Sequence, residues 1–316
     1  MSRNKWSMFL QILNSSRLEW SFIFGLAAFM IALVYRMNQA FLGFGPIFLT
    51  TMAHFSLNNL YDVNTDRFNL RKTSMRNPFI EENVILHSKH IHIWFGMLWL
   101  ISWLIIAIAF YNSEIKVVVI TIVMINSLLI SIAYSVPPFR FKGRPVLDLI
   151  STSLTFGVLL PFFVGMIGSD IGANKLIFPV EFHIFILTIA LAIITIIGMH
   201  FPTILIDLEF DKAAGDRTTA VWLGQELAST VSAFAVFLSV IGIGIILSLF
   251  MIWKFIEFSI TGYVLGLIEL FFAYRLWQRK DRESAMMVCK AIIVINSLGV
   301  LDYLRVNFLE LRIAGL

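Results

Sequence analysis

"FLGFGPIFLTTMAHFSLNNLYDVNTDRFN", residues 41–69, joins an uncharged apolar run to a pair of acids. About 20 mostly apolar residues make a helix long enough to cross a bilayer, and residues 41–59 form such a run. Asp62 and Asp66 follow at once. Positions i, i+4 and i+8 share one face of an α-helix. Asn58, Asp62 and Asp66 therefore form a column of one amide and two carboxylates where the apolar run ends.

The rest of the chain has the same character. Of its 316 residues, 59% are hydrophobic and 14% charged, against about 25% charged in a soluble domain. Mean hydropathy is +0.85. The composition predicts a polytopic membrane protein, all-α, because in lipid each helix must satisfy its own backbone groups. Nine segments qualify as spans: 19–35, 41–59, 91–111, 117–135, 148–168, 183–205, 228–251, 255–275 and 286–304. The expectation is one membrane domain over residues 1–316, a bundle of nine helices with a central cavity opening near the cytoplasmic face. The N-terminal "MSRNKWSMFLQILNSSRLEW" has too short an apolar part for a signal peptide, and no small-residue cleavage site follows it. The single Cys289 excludes an internal disulfide framework and a cysteine-rich metal site. The net charge of +4 comes without a basic run interleaved with aromatics, so no nucleic-acid partner is expected.

Lys and Arg set the orientation, since they concentrate in cytoplasmic loops. Alternating the nine spans puts 17 of the 24 Lys and Arg on the side of the N-terminus and of loops 60–90, 136–147, 206–227 and 276–285, the last counted with Arg275 at its edge. Six fall on the other side, and Lys290 lies within the last span. The N-terminus is thus expected in the cytoplasm and the C-terminus outside, in the plasma membrane. The long polar loops after spans two, four and six all face the cytoplasm.

A second acidic stretch, "DLEFD" (207–211), follows span six on that same side. Asp207 and Asp211 repeat the spacing of Asp62 and Asp66. Like charges at i, i+4 destabilise a helix unless something neutralises them. A hard divalent cation does so, and Mg²⁺ takes one or two carboxylates plus substrate phosphates. Asn58, Asp62, Asp66, Asp207 and Asp211 are accordingly the expected metal ligands, and two facing clusters would hold Mg²⁺ around one diphosphate. One such pair alone reads as a solvated helix end; two on one face of the membrane argue for a shared site. Basic residues accompany both. Most follow from orientation alone, but Arg76, Lys142 and Arg217 stand out as diphosphate-binding candidates, because cations placed where a leaving group gathers charge lower the barrier.

Here the residues resemble a family. "NNLYDVNTD" resembles the N-D-x-x-D-x-x-x-D motif of UbiA-type intramembrane prenyltransferases. "DLEFDKAAGDRTTAVWLG" resembles their second acidic motif with its G-x-x-T tail, and "AYSVPPFR" (133–140) their Y-S-x-P-P segment. The resemblance implies prenyl transfer within the membrane: an isoprenyl diphosphate held by Mg²⁺ loses its diphosphate, and the allylic cation alkylates a lipophilic acceptor. It maps Asn58, Asp62 and Asp66, then Asp207 and Asp211, then Tyr134 and Ser135 onto the three motifs. Asn59 stands where the family usually has Asp, an uncharged amide at the substrate site. "YSVPPFRFKGRPVLDLIS" further resembles the carotenoid branch, the lycopene elongase/hydratases, which would make dimethylallyl diphosphate the donor and lycopene the acceptor. A quinone, chlorophyll or ether-lipid precursor such as geranylgeranylglyceryl phosphate is the alternative acceptor, and a UbiA-type terpene cyclase the alternative enzyme.

Other residues keep two readings. His54, one turn before Asn58, either orients a ligand or packs between helices, and His200 divides the same way. Asp148 opens span five as a cap or as an acid/base. Tyr134, Phe156 and Phe162 offer π-faces to a carbocation. A transporter would also carry repeats and acids, but at mid-depth and on broken helices; these acids lie at the cytoplasmic edge.

Overall fold

The computed structural model describes residues 2–34, 40–69, 77–80, 87–172, 175–177, 182–252 and 260–305. Every expected apolar segment coincides with helix over its described part, except that 91–111 leaves the helix after Ala109. In chain order these are α1 (Ser2–Ser15), α2 (Leu18–Val34), α3 (Phe41–Tyr61), the single turn α4 (Val63–Asp66), α5 (Ser88–Ala109) and α6 (Glu114–Ser135). Span five is assembled from α7 (Leu147–Thr152), a π-helical stretch over 153–159, and α8 (Leu160–Gly168). Then come α9 (Phe182–Ala214), α10 (Thr219–Ile252), α11 (Ile260–Arg279) and α12 (Arg282–Leu304). The all-α expectation needs one amendment. A small antiparallel hairpin, β1 (Asp170–Gly172) with β2 (Lys175–Ile177), pairs Asp170 with Ile177 between α8 and α9.

Among the described residues, six helices are long and apolar enough to cross a membrane: α5, α6, α7–α8 together, α9, α10 and α11. They become seven if α1 and α2, bent by 51° at Ser16–Arg17, make one broken span. Six or seven of the expected nine spans thus meet the test of length and composition among the described residues. In α3 the apolar run is diluted by Thr, Ser, His and Asn.

The contacts divide the chain into two units. The first comprises residues 1–143, 159–185 and 213–216; the second comprises 144–158, 186–212 and 217–316. In the first, α3 is the central helix, packed on α2 and α5 and also touching α6 and α8. Small residues allow its close approach to α2: Gly43 stands against the carbonyl of Ala28 and the methyl of Ala32, the packing that membrane helices favour. In the second, Phe201, Leu205 and Leu208 of α9 form one core with Ala228 and Val236 of α10, Leu276 of α11, and Val288 and Ile292 of α12.

One boundary matters for the site. The sequence places Asp207 and Asp211 in a loop, but α9 continues through both to Ala214. Leu205, Ile206 and Leu208 are buried on the inner face of this extension, so apolar packing carries the helix past its charges. Gly215 ends it with φ of +82°, the left-handed conformation that glycine supplies at a helix C-terminus.

Candidate active site

The first acidic cluster lies wholly in the first unit. The amide of Asp62 donates to the carbonyl of Asn58 at 2.9 Å and that of Asp66 to the carbonyl of Asp62 at 2.8 Å. The expected column is therefore kept, although the backbone bends at Asp62 (φ −96°, ψ 0°) as α3 passes into α4. Both carboxylates are 1% exposed. Asp66 accepts from Asn77 Nδ2 at 2.7 Å, and the same amide donates to the carbonyl of Asn59 at 2.9 Å.

Asp62 is held differently. Its Oδ2 lies against the Lys142 ammonium, and among the described residues no other group donates to either of its oxygens. A buried carboxylate with one charge partner and no further hydrogen bonds is costly. Lys142 comes from the loop after α6, where the Pro137–Pro138 peptide is cis. Burial alone would lower the Lys142 pKa, but Asp62 first, then Tyr134 and Asp66, outweigh it and raise it above its ordinary 10.5. Ser135, at the end of α6, accepts from Asn58 Nδ2 at 3.4 Å. The Tyr134 ring stacks obliquely on His54, with centroids 5.4 Å apart.

Asn59 departs from its expected place at the substrate. Its Oδ1 accepts from Arg17 at 2.5 Å and its Nδ2 donates to the carbonyl of Ser15 at 2.8 Å. One residue further along the helix than Asn58, it is rotated about 100° from the acidic column, and it ties α3 to the end of α1. The guanidinium of Arg17 also lies over the Phe55 ring.

The second unit holds Asp207 and Asp211, one turn apart on the last turns of α9. Asp211 is buried and Asp207 half-buried, while Glu209, Lys212 and Arg217 are exposed. Arg76 lies outside the described residues. Asp148 proves to be a cap, but of a distant helix. Its Oδ2 accepts from the backbone N–H of Thr219 at 2.7 Å, and its Oδ1 from the Thr219 hydroxyl and from the amide of Leu149. The carboxylate thus fixes the first residue of α10, a role that spacing along α7 could not disclose. Asp148→Ala is expected to cost about 2 kcal/mol through these lost bonds, read as a lowered thermal unfolding midpoint, with Asp148→Asn falling between.

Among the described residues, no three His, Cys, Asp or Glu side chains gather into a complete metal centre. What the first cluster offers is an amide, two buried carboxylates and, in Asp62, acceptor capacity that no donor among the described residues fills. That set suits Mg²⁺, which takes few protein carboxylates and completes its shell with water and phosphate oxygens. Asn58, Asp62 and Asp66 would hold it in this unit. Sequence reasoning passed over Asn77, Arg140, Thr65 and Asp216, whose bonds hold this cluster; only the N–P step at Asn77, a turn signal, hinted at any of them.

The chain was compared with known proteins. The sequence model described as the UbiA prenyltransferase family matches residues 20–295. A lycopene elongase/hydratase from Haloferax volcanii is 38% identical over 96 residues, 30% of this chain and 28% of that protein. Another from Halobacterium salinarum is 35% identical over 95 residues, 30% of each. The aligned stretch thus spans less than a third of these relatives' length. Among solved structures, one described as digeranylgeranylglyceryl phosphate synthase superposes with a TM-score of 0.63 at 17% identity, covering 95% of this chain and 98% of that one. A UbiA homologue from Archaeoglobus fulgidus bound to GPP and Mg²⁺ gives 0.60 at 21% identity, covering 94% and 99%.

Proposed function

The chain belongs to the UbiA prenyltransferase family, and on that premise we propose that it transfers an isoprenyl group from an isoprenyl diphosphate to a hydrophobic acceptor inside the bilayer. The observation that carries this reading is Asp62, a carboxylate 1% exposed whose oxygens, among the described residues, meet one ammonium and no other donor. With its long apolar helices, this is an integral membrane protein. We place it in the plasma membrane as a single membrane domain, with the N-terminus in the cytoplasm and the C-terminus outside.

In this reading Asp62 and Asp66 would hold Mg²⁺ for the donor's diphosphate together with the Asn58 amide, and Asp207 and Asp211 are the metal ligands proposed for the second motif. Bound Mg²⁺ supplies positive charge to the departing diphosphate. Lys142 adds a protonated ammonium to that charge, and Arg217 and Arg76 are further cations for the same group. The donor's C–O bond breaks, and its electron pair leaves with the diphosphate. The allylic carbon then takes the electrons of an acceptor alkene, and the new cation loses a proton or takes up water. Tyr134, whose ring packs on His54, is the π-face proposed for the allylic cation, and Ser135 orients the Asn58 amide. Desolvated cations gain about 2 kcal/mol from such faces.

For the substrates we propose dimethylallyl diphosphate and lycopene, supported by the names of the relatives that match 30% of the chain. Purified chain in lipid, given Mg²⁺, labelled dimethylallyl diphosphate and separately lycopene, hydroxybenzoate, naphthoate or geranylgeranylglyceryl phosphate, is expected to label lycopene. Label joined to another acceptor would overturn the carotenoid assignment. Diphosphate release without joining would mark a cyclase, and transport of a substrate without release would mark a carrier.

A further inference from the structure

Asp216 lies where three segments of the first unit meet. Its Oδ2 accepts from the Thr65 hydroxyl at 3.0 Å and from Arg140 Nη2 at 2.9 Å. Arg140 Nη1 donates to the carbonyl of Tyr61 at 3.0 Å, and its Nη2 also reaches the Thr65 hydroxyl at 3.3 Å. The other carboxylate oxygen stands directly over Gly143, where an added Cβ would come within 2.9 Å of it. Each contact falls on the neighbour of a residue assigned to the site: Tyr61 precedes Asp62, Thr65 precedes Asp66, and Gly143 follows Lys142.

The backbone supports a built arrangement. Arg140 adopts a φ of +37°, a conformation that a non-glycine residue keeps only where its surroundings over-determine it. Both side chains are mostly buried, Arg140 25% and Asp216 13% exposed, so the pair is better shielded from solvent than a surface ion pair of little worth. Both residues lie within the stretches quoted above, Arg140 at the end of "AYSVPPFR" and Asp216 in "DLEFDKAAGDRTTAVWLG", but the resemblance assigns neither of them a role.

We propose that Asp216 and Arg140 are a positioning pair, which holds the turn bearing Asp62 and Asp66 and the loop bearing Lys142 in register to receive a diphosphate. The proposal rests on the prenyltransferase reading. Neither residue need touch substrate. Asp216 acts through Thr65 and Gly143, and Arg140 through the carbonyl that precedes Asp62.

The test is calorimetric binding of inorganic diphosphate with Mg²⁺ to the full chain in lipid. Asp216→Asn and Arg140→Gln are each expected to weaken binding about 10-fold, and the double variant no further, because residues acting as one unit are non-additive. Gly143→Ala changes no charge, yet is expected to weaken binding about 5-fold by displacing the Asp216 carboxylate. It remains the decisive variant should either charge substitution fail to fold. Binding within about 2-fold of wild type in the variants that fold, or effects that multiply in the double variant, would overturn the pair. No binding by the wild type would overturn the transferase reading itself and this proposal with it.

Discussion

Asp62→Asn is expected to lower diphosphate release from an allylic donor by about 10³-fold. Asparagine keeps the size of the side chain and removes its charge, so packing in the first unit is preserved while the central ligand of the column is lost. Deleting one preorganised charge-stabilising group from an active site typically costs about 10²–10³ in rate, and in the proposed site the lost group also helps bind the cation. The substitution also leaves the Lys142 ammonium, 12% exposed, without its buried partner, and breaking such a pair costs about 3–5 kcal/mol. Release must therefore be measured beside a thermal unfolding curve. A folded Asp62→Asn protein releasing diphosphate within tenfold of wild type would remove Asp62 from the chemistry.

Lys142→Met is expected to have the second-largest effect. Methionine retains the length and apolar stem of lysine and deletes the ammonium. With Asp62 left as an uncompensated buried charge, the unfolding midpoint falls. The donor's KM rises at least about 10-fold through loss of one charge-assisted contact, worth roughly 1.5–3 kcal/mol. The pH dependence separates this residue from its neighbours. The folded pKa of Lys142 is raised, so its stabilising contribution is fully present below the unfolded value of 10.5 and is lost only as pH rises through the higher folded value. Between about pH 6 and pH 9 Lys142 should contribute no titration step. A step in that window that vanishes in Lys142→Met would contradict this assignment.

The helices were largely legible because long apolar runs permit little else in a bilayer. The first cluster's column was legible too, since spacing of four residues on a helix fixes a face whatever the surroundings. The extension of α9 through Asp211 was not, because its charges resemble a loop and only the burial of Leu205 and Leu208 among them carries the helix on. Lys142 was singled out from a basic loop, but Arg140, two residues away with the same charge, could not be told apart from it. Their separate roles come from the turn of the chain at Arg140 and from Gly143, which no period describes. Asn59 beside Asn58 shows the same limit: adjacent identical residues point in different directions, one toward Ser135 and the other toward α1. Asp216 escaped notice because it breaks the four-residue spacing of the second acidic pair, and its partners lie 151 and 76 residues away in sequence.

The most direct measurement is diphosphate release by the purified full chain in lipid, supplied with dimethylallyl diphosphate and lycopene, in Mg²⁺ and after chelation. The account expects release with Mg²⁺, its loss on chelation, and its recovery when Mg²⁺ is restored. Release that ignores chelation, or no release from any allylic diphosphate in the presence of Mg²⁺, would contradict it.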